Sequence, residues 1–500
     1  MAAISVPFLL AGCLVLPDPL SNEHRSSRVA TDLVNLYANQ EPLRGSIDFY
    51  EAVARGLKYN VDKRLKEFER GISQRSLRSA TLDMLPDLVA TAGYSGRDQY
   101  RASTSYNFAN QSRSAGASTS EDKERNTASL GFSWNILDFG VSYYRAKQSA
   151  DRVLIAEERR IKVVQNVVMD IRDAYWRAVA AERVLPQVNA MINRINAATR
   201  NSDNAISSGL GQPLKELRFQ RTLLQLMSDL VEVRRRLALA KAQLAALINL
   251  PPGTTYIVKG PKKGRLSVPR IRADISELQR AALQNRPELR EEDYNGRISE
   301  QDGVIAKLNL LPGIDLNAAA SFDSNSFLVD NGWSQASASI SKNLMDLVRA
   351  PRKIRLAKAT AELAEVRRQA LSMAVLAQLH LSLQRLALAN DIFKVSGRTQ
   401  RVNNRISDIL KNQGEALAAA EIEILEAESN RVISLVRYYS AYADVQNAYG
   451  RVLNSLGSHR FPQDIKNMDV ASLTKVLSSK LDVWKAPISE LKVAGKSGVR

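Results

Sequence analysis

Apolar and polar positions alternate one for one in four short stretches of the chain. Leu88, Ala90, Ala92 and Tyr94 form the first, and Leu130, Phe132, Trp134 and Ile136, interleaved with Gly131, Ser133 and Asn135, form the second. Ile314, Leu316, Ala318, Ala320 and Phe322 repeat the pattern, as do Ala336, Ala338 and Ile340. A period of two predicts four strands, each with one apolar face and one polar or small face. Such strands suit a sheet with lipid on one side and water on the other. From alternation alone, an antiparallel sheet on a soluble core fits equally. Residues 95–126, rich in Ser, Asn, Arg and Gly, read as a long exposed loop, and 323–332 as a shorter one.

After each strand pair the period changes. Ile161, Val164, Val168, Ile171, Tyr175 and Ala178 recur at spacings of three and four, and Leu376, Leu379, Leu383 and Leu386 do the same. The spacing predicts long coiled-coil helices over about 140–201, interrupted only at Pro186, and about 351–412. Each spans about 90 Å at a helical rise of 1.5 Å per residue. Turns follow at Ser207–Pro213 and at Asn412-Gln413-Gly414, where glycine suits the left-handed end of a helix and Pro213 a new start. Returning helices over 213–249 and 415–456 are too short to cover their partners. The pre-strand helices, 46–80 and 274–306, supply the missing length. An elongated body follows, with strands at one end and helical turns at the other.

The two sets of elements are copies of one plan. Leu82-Asp83-Met84-Leu85-Pro86 matches Leu308-Asn309-Leu310-Leu311-Pro312, and Asn135-Ile136-Leu137-Asp138 matches Asn343-Leu344-Met345-Asp346. Gly209 and Asn249 match Gly414 and Asn454. The chain therefore divides into an N-terminal segment 14–45, a first repeat 46–250, a connector 251–273, a second repeat 274–457 and a tail 458–500 that is equatorial or partly disordered.

Composition narrows the classes. Five hundred residues at 45% hydrophobic and 24% charged exclude a disordered chain, and the lack of uninterrupted apolar runs excludes a multi-helix transporter. A single cysteine and three histidines scattered along the chain argue against a metal site, and no cofactor motif is present. The net charge of +18 invites nucleic acid or an anionic surface as partner, but the connector alone holds six Lys or Arg and no acid. Cys13 closes the run Phe8-Leu9-Leu10-Ala11-Gly12-Cys13, which reads as a signal peptide with a lipobox over 1–13. A short buried segment with an incidental cysteine is the alternative.

The duplicated order of helix, strand pair, long helix, glycine turn and shorter helix resembles the TolC-like outer-membrane efflux protein family across 46–457. Trp134-Asn135-Ile136-Leu137-Asp138-Phe139-Gly140, Leu85-Pro86 and Leu311-Pro312 carry the resemblance. Cys13-Leu14-Val15-Leu16-Pro17-Asp18-Pro19 is similar to its lipidated branch. The resemblance implies a mixed α and β fold: a homotrimeric membrane β-barrel, four strands per chain, continued by a periplasmic α-helical coiled-coil barrel. It implies no enzyme but an outer-membrane duct, fed by a periplasmic adaptor protein and an inner-membrane transporter.

By the same resemblance, the turns holding Gly209, Gly211 and Gly414 are the adaptor-docking tip. The family's acidic ring beyond the second glycine is displaced here: Ala416 and Ala420 stand at two of its positions. Glu421 and Glu423 become the candidates for a lumen gate, with Asp408 across the turn; a solvated helix face is the other reading. The basic connector is a candidate for cell-wall contact or a solubilising linker. Two rival functions remain: a soluble helical scaffold binding nucleic acid, which leaves the strands unexplained, and a porin-like channel, which leaves the long helices unexplained.

Overall fold

The computed structural model describes residues 17–481 apart from 210–211, 262–265, 272, 415–420, 458–460, 462–464 and 466. The first half opens with helices α1 (Asn22–Asn35), α2 (Phe49–Tyr59) and α3 (Val61–Leu82). Strand β1 (Asp87–Gly96) leads into two short hairpin ladders, formed by β2 (Ala102–Ser103) with β5 (Ser118–Thr119) and β3 (Tyr106–Asn107) with β4 (Ser112–Arg113). Strand β6 (Glu124–Asn135) returns to helix α4 (Ile136–Ser207), and α5 (Pro213–Leu247) completes the half. The second half holds α6 (Ile275–Asn285), α7 (Pro287–Leu308), β7 (Gly313–Asp323), β8 (Gly332–Ser341), α8 (Met345–Gly414) and α9 (Glu421–Ser455). Helix α10 (Val470–Leu481) follows.

Strands and helices fall where the two periods put them, with differences at breaks. The pre-strand helices, expected unbroken, each divide in two. Asn60 ends α2 in extended backbone and its side chain accepts from the Lys63 amide, starting α3. Pro287 at the first position of α7 has no amide to continue α6. Conversely, α4 runs through Pro186. Val184 and Val188 on either side are fully buried; that burial offsets the roughly 3 kcal/mol a helical proline costs. Helix α8 begins at Met345 rather than Pro351. Both long helices start from the repeated Asn-x-x-Asp: Asn135 Oδ1 accepts from the Asp138 amide at 2.9 Å, and Asn343 Oδ1 from the Met345 amide at 3.0 Å.

Helix α4 organises the chain. Helices α3 and α7 flank its strand-side half, and α5 and α9 its far half. The contact with α5 and α9 is an apolar core that includes Val184, Val188, Ile195, Leu223, Leu230, Leu425 and Val432. The contact with α7 is an ion-pair ladder. Gln148 donates to Asp302 at 2.6 Å, Arg297 Nε to Asp151 at 3.0 Å and Arg290 to Glu158 at 2.6 Å. Arg159 reaches Glu291 at 2.7 Å and Lys162 reaches Glu288 at 3.4 Å. Partners descend along α7 as they ascend along α4, the register of an antiparallel pair.

At mid-length a second core joins α2, α4, the end of α5 and α10. Ile47 bridges Val258 in parallel, tying the start of the first half to the connector. Glu41 links three segments there, accepting from Lys58 Nζ at 2.7 Å and from the Val470 amide at the start of α10 at 3.1 Å. Helix α8 contains a window with mean hydropathy 1.2, long and apolar enough to cross a membrane by length and composition, of which 22% is buried within the chain.

Candidate functional site

The site has two parts, a sheet and a helical tip, some 70 residues of α4 apart. Four strands pair antiparallel in the order β1-β6-β7-β8. The register aligns the alternating sets: Leu88 opposes Phe132, which opposes Ala318, which opposes Ala336. Trp134, Leu316 and Ala338 form the next row, and Ile314 with Ile340 another. One face is thus predominantly apolar, with Ser334 beside Ala320 and Asn126 beside Tyr94 the exceptions. Its rows are open to the surroundings, with Leu88 at 69% and Ile340 at 75% exposure. The other face carries Asp87, Ser133, Asn317 and Ser337 in one row and Asn135, Asp315 and Ser339 in another. Thr91 and Ser129 hydroxyls meet there at 2.6 Å, and Asn135 donates to Asp315 at 2.6 Å.

Beyond the strands the two loops lock together. Asn325 donates to the Ser120 carbonyl at 2.9 Å and its side-chain oxygen accepts from the Asp122 amide at 3.0 Å. Asp122 in turn accepts from Ser326 Oγ at 2.8 Å. The long exposed loop expected over 95–126 carries the two short ladders and is clasped to its shorter neighbour.

At the far end, α4 closes on Gly209, whose φ of +67° is the left-handed conformation glycine adopts freely. A Cβ there would meet nothing within 4 Å. Glu216 of α5 accepts from Ser202 of α4 at 2.7 Å, and Gln220 donates to Asp203 at 2.7 Å, clamping the turn. Gly414 is the last residue of α8. Gly211 and the 415–420 turn lie outside the described residues, as does Cys13. Glu421 and Glu423 occupy the first turn of α9 and are exposed, while Leu425, Ala427 and Ser429 beyond them are buried. Asp408 lies 3.9 Å from Arg431 of α9.

Two basic partners near the tip were not legible in the sequence. Arg194 of α4 pairs with Glu428 of α9, joining the two halves, and Arg431 faces Asp408. Arg194 and Glu428 stand 234 positions apart, so only the alternating acids at the start of α9 hinted at a partner. Higher on the same helices Arg177 faces Asp173 at 2.9 Å and Asp444 at 3.9 Å. Burial pushes the Asp444 carboxyl up, against the pull of the Arg177 charge.

Residues 67–250 match the family model described as outer membrane efflux protein. The fold is similar to that of the Campylobacter jejuni CmeC outer membrane channel, at 15% identity over 88% of this chain and 93% of that one, with a TM-score of 0.65. It is likewise similar to the outer membrane protein VceC of Vibrio cholerae, at 14% identity over 82% and 96% with a TM-score of 0.60. For the open state of the Neisseria gonorrhoeae MtrE outer membrane channel the values are 15% identity, 82% and 88%, and a TM-score of 0.62. No curated protein sequence matches. The family match is confined to residues 67–250, and the fold of the chain is similar to that of the solved outer membrane channels. The solved proteins whose fold it shares are outer membrane channels.

Proposed function

We propose that the chain assembles as a homotrimer into the exit duct of a tripartite efflux or secretion system. A periplasmic adaptor would deliver substrate from an inner-membrane transporter, and conduction would be passive. The observation that carries this reading is the four-stranded sheet with one apolar face and two open edges, β1 and β8, continuous with helices of 72 and 70 residues. A bilayer does not tolerate unpaired strand edges, so further copies must close the sheet. The flanking helices favour the same assembly. Leu381, Leu388, Val395, Val402 and Ile409 form an exposed seven-residue seam on α8, and Leu217, Leu224 and Val231 form one on α5. Both want a partner helix. The number three rests on the family resemblance, and internal duplication on the matching segments of the two halves.

Within this reading, Cys13 carries the lipid anchor, and the turns of Gly209, Gly211 and Gly414 meet the adaptor. Glu421, Glu423 and Asp408 set a narrow acidic ring in the lumen. Glu421→Gln with Glu423→Gln lowers cation selectivity in bilayer recordings; unchanged selectivity removes both residues from the gate. The connector 251–273, with Lys259 among its described bases, faces the cell wall.

Topology is tested by labelling. Cys13 is the only cysteine in the chain and is acylated in this reading, so Ser114→Cys, just past β4, introduces the one free thiol as reporter. A membrane-impermeant maleimide labels it in intact cells if the loops face outward. Labelling only after the inner membrane is broken contradicts the duct.

A further inference from the structure

Against the apolar core of the far half lies a cleft of about 380 Å³, walled by α4, α5 and α9. Toward the tip, α5 and α9 close on α4 through Leu223, Leu230, Leu425 and Val432. Toward mid-length the three helices meet in small residues, Ala180, Ala240 and Ala443, each nearly fully buried, which leave the space between them unfilled. Val233 and Leu237 of α5 and Val436 of α9 complete an apolar wall. A volume of this size falls within the roughly 300–1,000 Å³ of small-molecule sites.

The cleft opens away from the connector. Tyr175 of α4 donates its hydroxyl to the Lys259 carbonyl and Arg183 donates to the Pro261 carbonyl at 2.7 Å, so the connector lies on that side of the helix. Arg177, two residues from Tyr175, stands about 200° around the helix and lines the cleft. Arg236 of α5 lines it too, and Asp444 of α9 is the one acid among its described lining residues. Arg236 is loosely held: it reaches Glu232 at 3.4 Å, while both carboxylate oxygens of Glu232 accept from Arg235 at 2.8 and 2.9 Å, and its side chain is 68% exposed. Arg177 keeps Asp173 at 2.9 Å and stands 3.9 Å from Asp444, beyond hydrogen-bond reach. Two guanidinium groups from different helices thus face the apolar wall, against one carboxylate. Val231, in the exposed seam of α5, is about 140° around that helix from Arg236, so a second copy seated on the seam leaves the cleft open.

We propose that this cleft binds an anionic amphiphile, whose apolar body lies on the alanine, valine and leucine wall and whose carboxylate, sulfonate or phosphate head is held between Arg177 and Arg236. A guanidinium offers such a head two parallel N–H donors, and partial desolvation strengthens them. A cationic amphiphile is disfavoured, because its head has only Asp444 to meet and both arginines repel it. About 60 Å of α4 separates Arg177 from the strands, so the occupant is a free molecule rather than a lipid of the bilayer. Only the placing of the cleft's mouth on the tunnel side rests on the duct reading; the site itself does not.

The test uses full-length protein in lipid nanodiscs and three photoactivatable probes that share one alkyl-diazirine chain and end in a carboxylate, a neutral amide or a quaternary ammonium. Crosslinked residues are mapped by mass spectrometry. The carboxylate probe labels 233–243 and 436–444 saturably and more strongly than the other two. Arg177→Gln/Arg236→Gln lowers its apparent affinity about tenfold, whereas Asp444→Asn, which removes the competing acid, raises it. Leu239→Trp, at a wall position 51% exposed, fills the cleft and abolishes labelling by all three probes, while an unchanged thermal melt shows that the fold is kept. Equal labelling by the ammonium probe makes the cleft an unselective apolar surface and overturns the proposal, as do indifference to the double arginine variant and labelling that survives Leu239→Trp. Labelling confined to protein dissociated into monomers makes the occupant a second copy and also overturns it. Bilayer conductance of the same preparations reports separately on the duct: a protein that conducts but takes no probe refutes only the site, and one that takes the probe but passes no current refutes only the duct.

Discussion

Glu41 shows how much a single side chain holds at mid-length. Its carboxylate receives the Lys58 ammonium and the Val470 amide, so it ties the N-terminal segment to α2 and caps α10 from another part of the chain. Burial pushes this carboxyl up, but the Lys58 hydrogen bond, the Val470 amide and the Lys58 charge outweigh it and hold it below its ordinary value of 4.5. A carboxylate with a lowered folded value stabilises the fold above its ordinary range, and that contribution is lost as pH falls through the folded value. Hydrogen-exchange protection of α10 should therefore drop on acidification below pH 4.5 in the native protein. In Glu41→Gln it should already be lower at neutral pH, by about 1 kcal/mol, and lose its acid dependence. Protection of α10 indifferent to both changes contradicts the role. None of this was legible in the sequence, because the partners Glu41, Lys58 and Val470 share no motif. The candidate gate was legible only in part. The acids of α9 announced themselves by spacing, but Arg194 and Arg431 acquire their meaning from the packing of α4, α8 and α9.

Periodicity reads best where one face of an element is buried or meets lipid. The strands were legible to their register, since a one-residue slip would turn every apolar side chain to the polar face. Leu130 opposes both Ala90 and Ala320, which is the pairing the alternation demands. The long helices were legible from their seams. Breaks were not, because capping by Asn60 and a first-turn Pro287 decide them locally while the apolar pattern continues across. The ladder between α4 and α7 was invisible, since charges on helix faces usually meet water. It makes a definite prediction. Glu158, only 9% exposed in its side chain, faces Arg290 at 2.6 Å. Glu158→Arg should destabilise by about 1–3 kcal/mol, and adding Arg290→Glu should recover most of that loss in a thermal melt. A double variant no more stable than the single one contradicts a specific pair.

At the scale of the molecule, a sheet with one apolar face and a helix pair of about 100 Å are one device. The apolar face fits lipid, the hydroxyl- and carboxylate-bearing face fits water, and the exposed seams of α5 and α8 ask for neighbouring copies. A third of the +18 charge lies in the 23-residue connector, and many of the other bases are matched by acids in ion pairs along the helices. That distribution weakens any reading as a nucleic-acid scaffold. The most direct measurement is the conductance of purified full-length protein in planar lipid bilayers. Discrete, stable conductance steps that need no nucleotide or other energy source are the predicted result. Folded protein that inserts into the bilayer yet passes no current under any voltage or acidity, with its tip turns left intact or cleaved away, would contradict the duct.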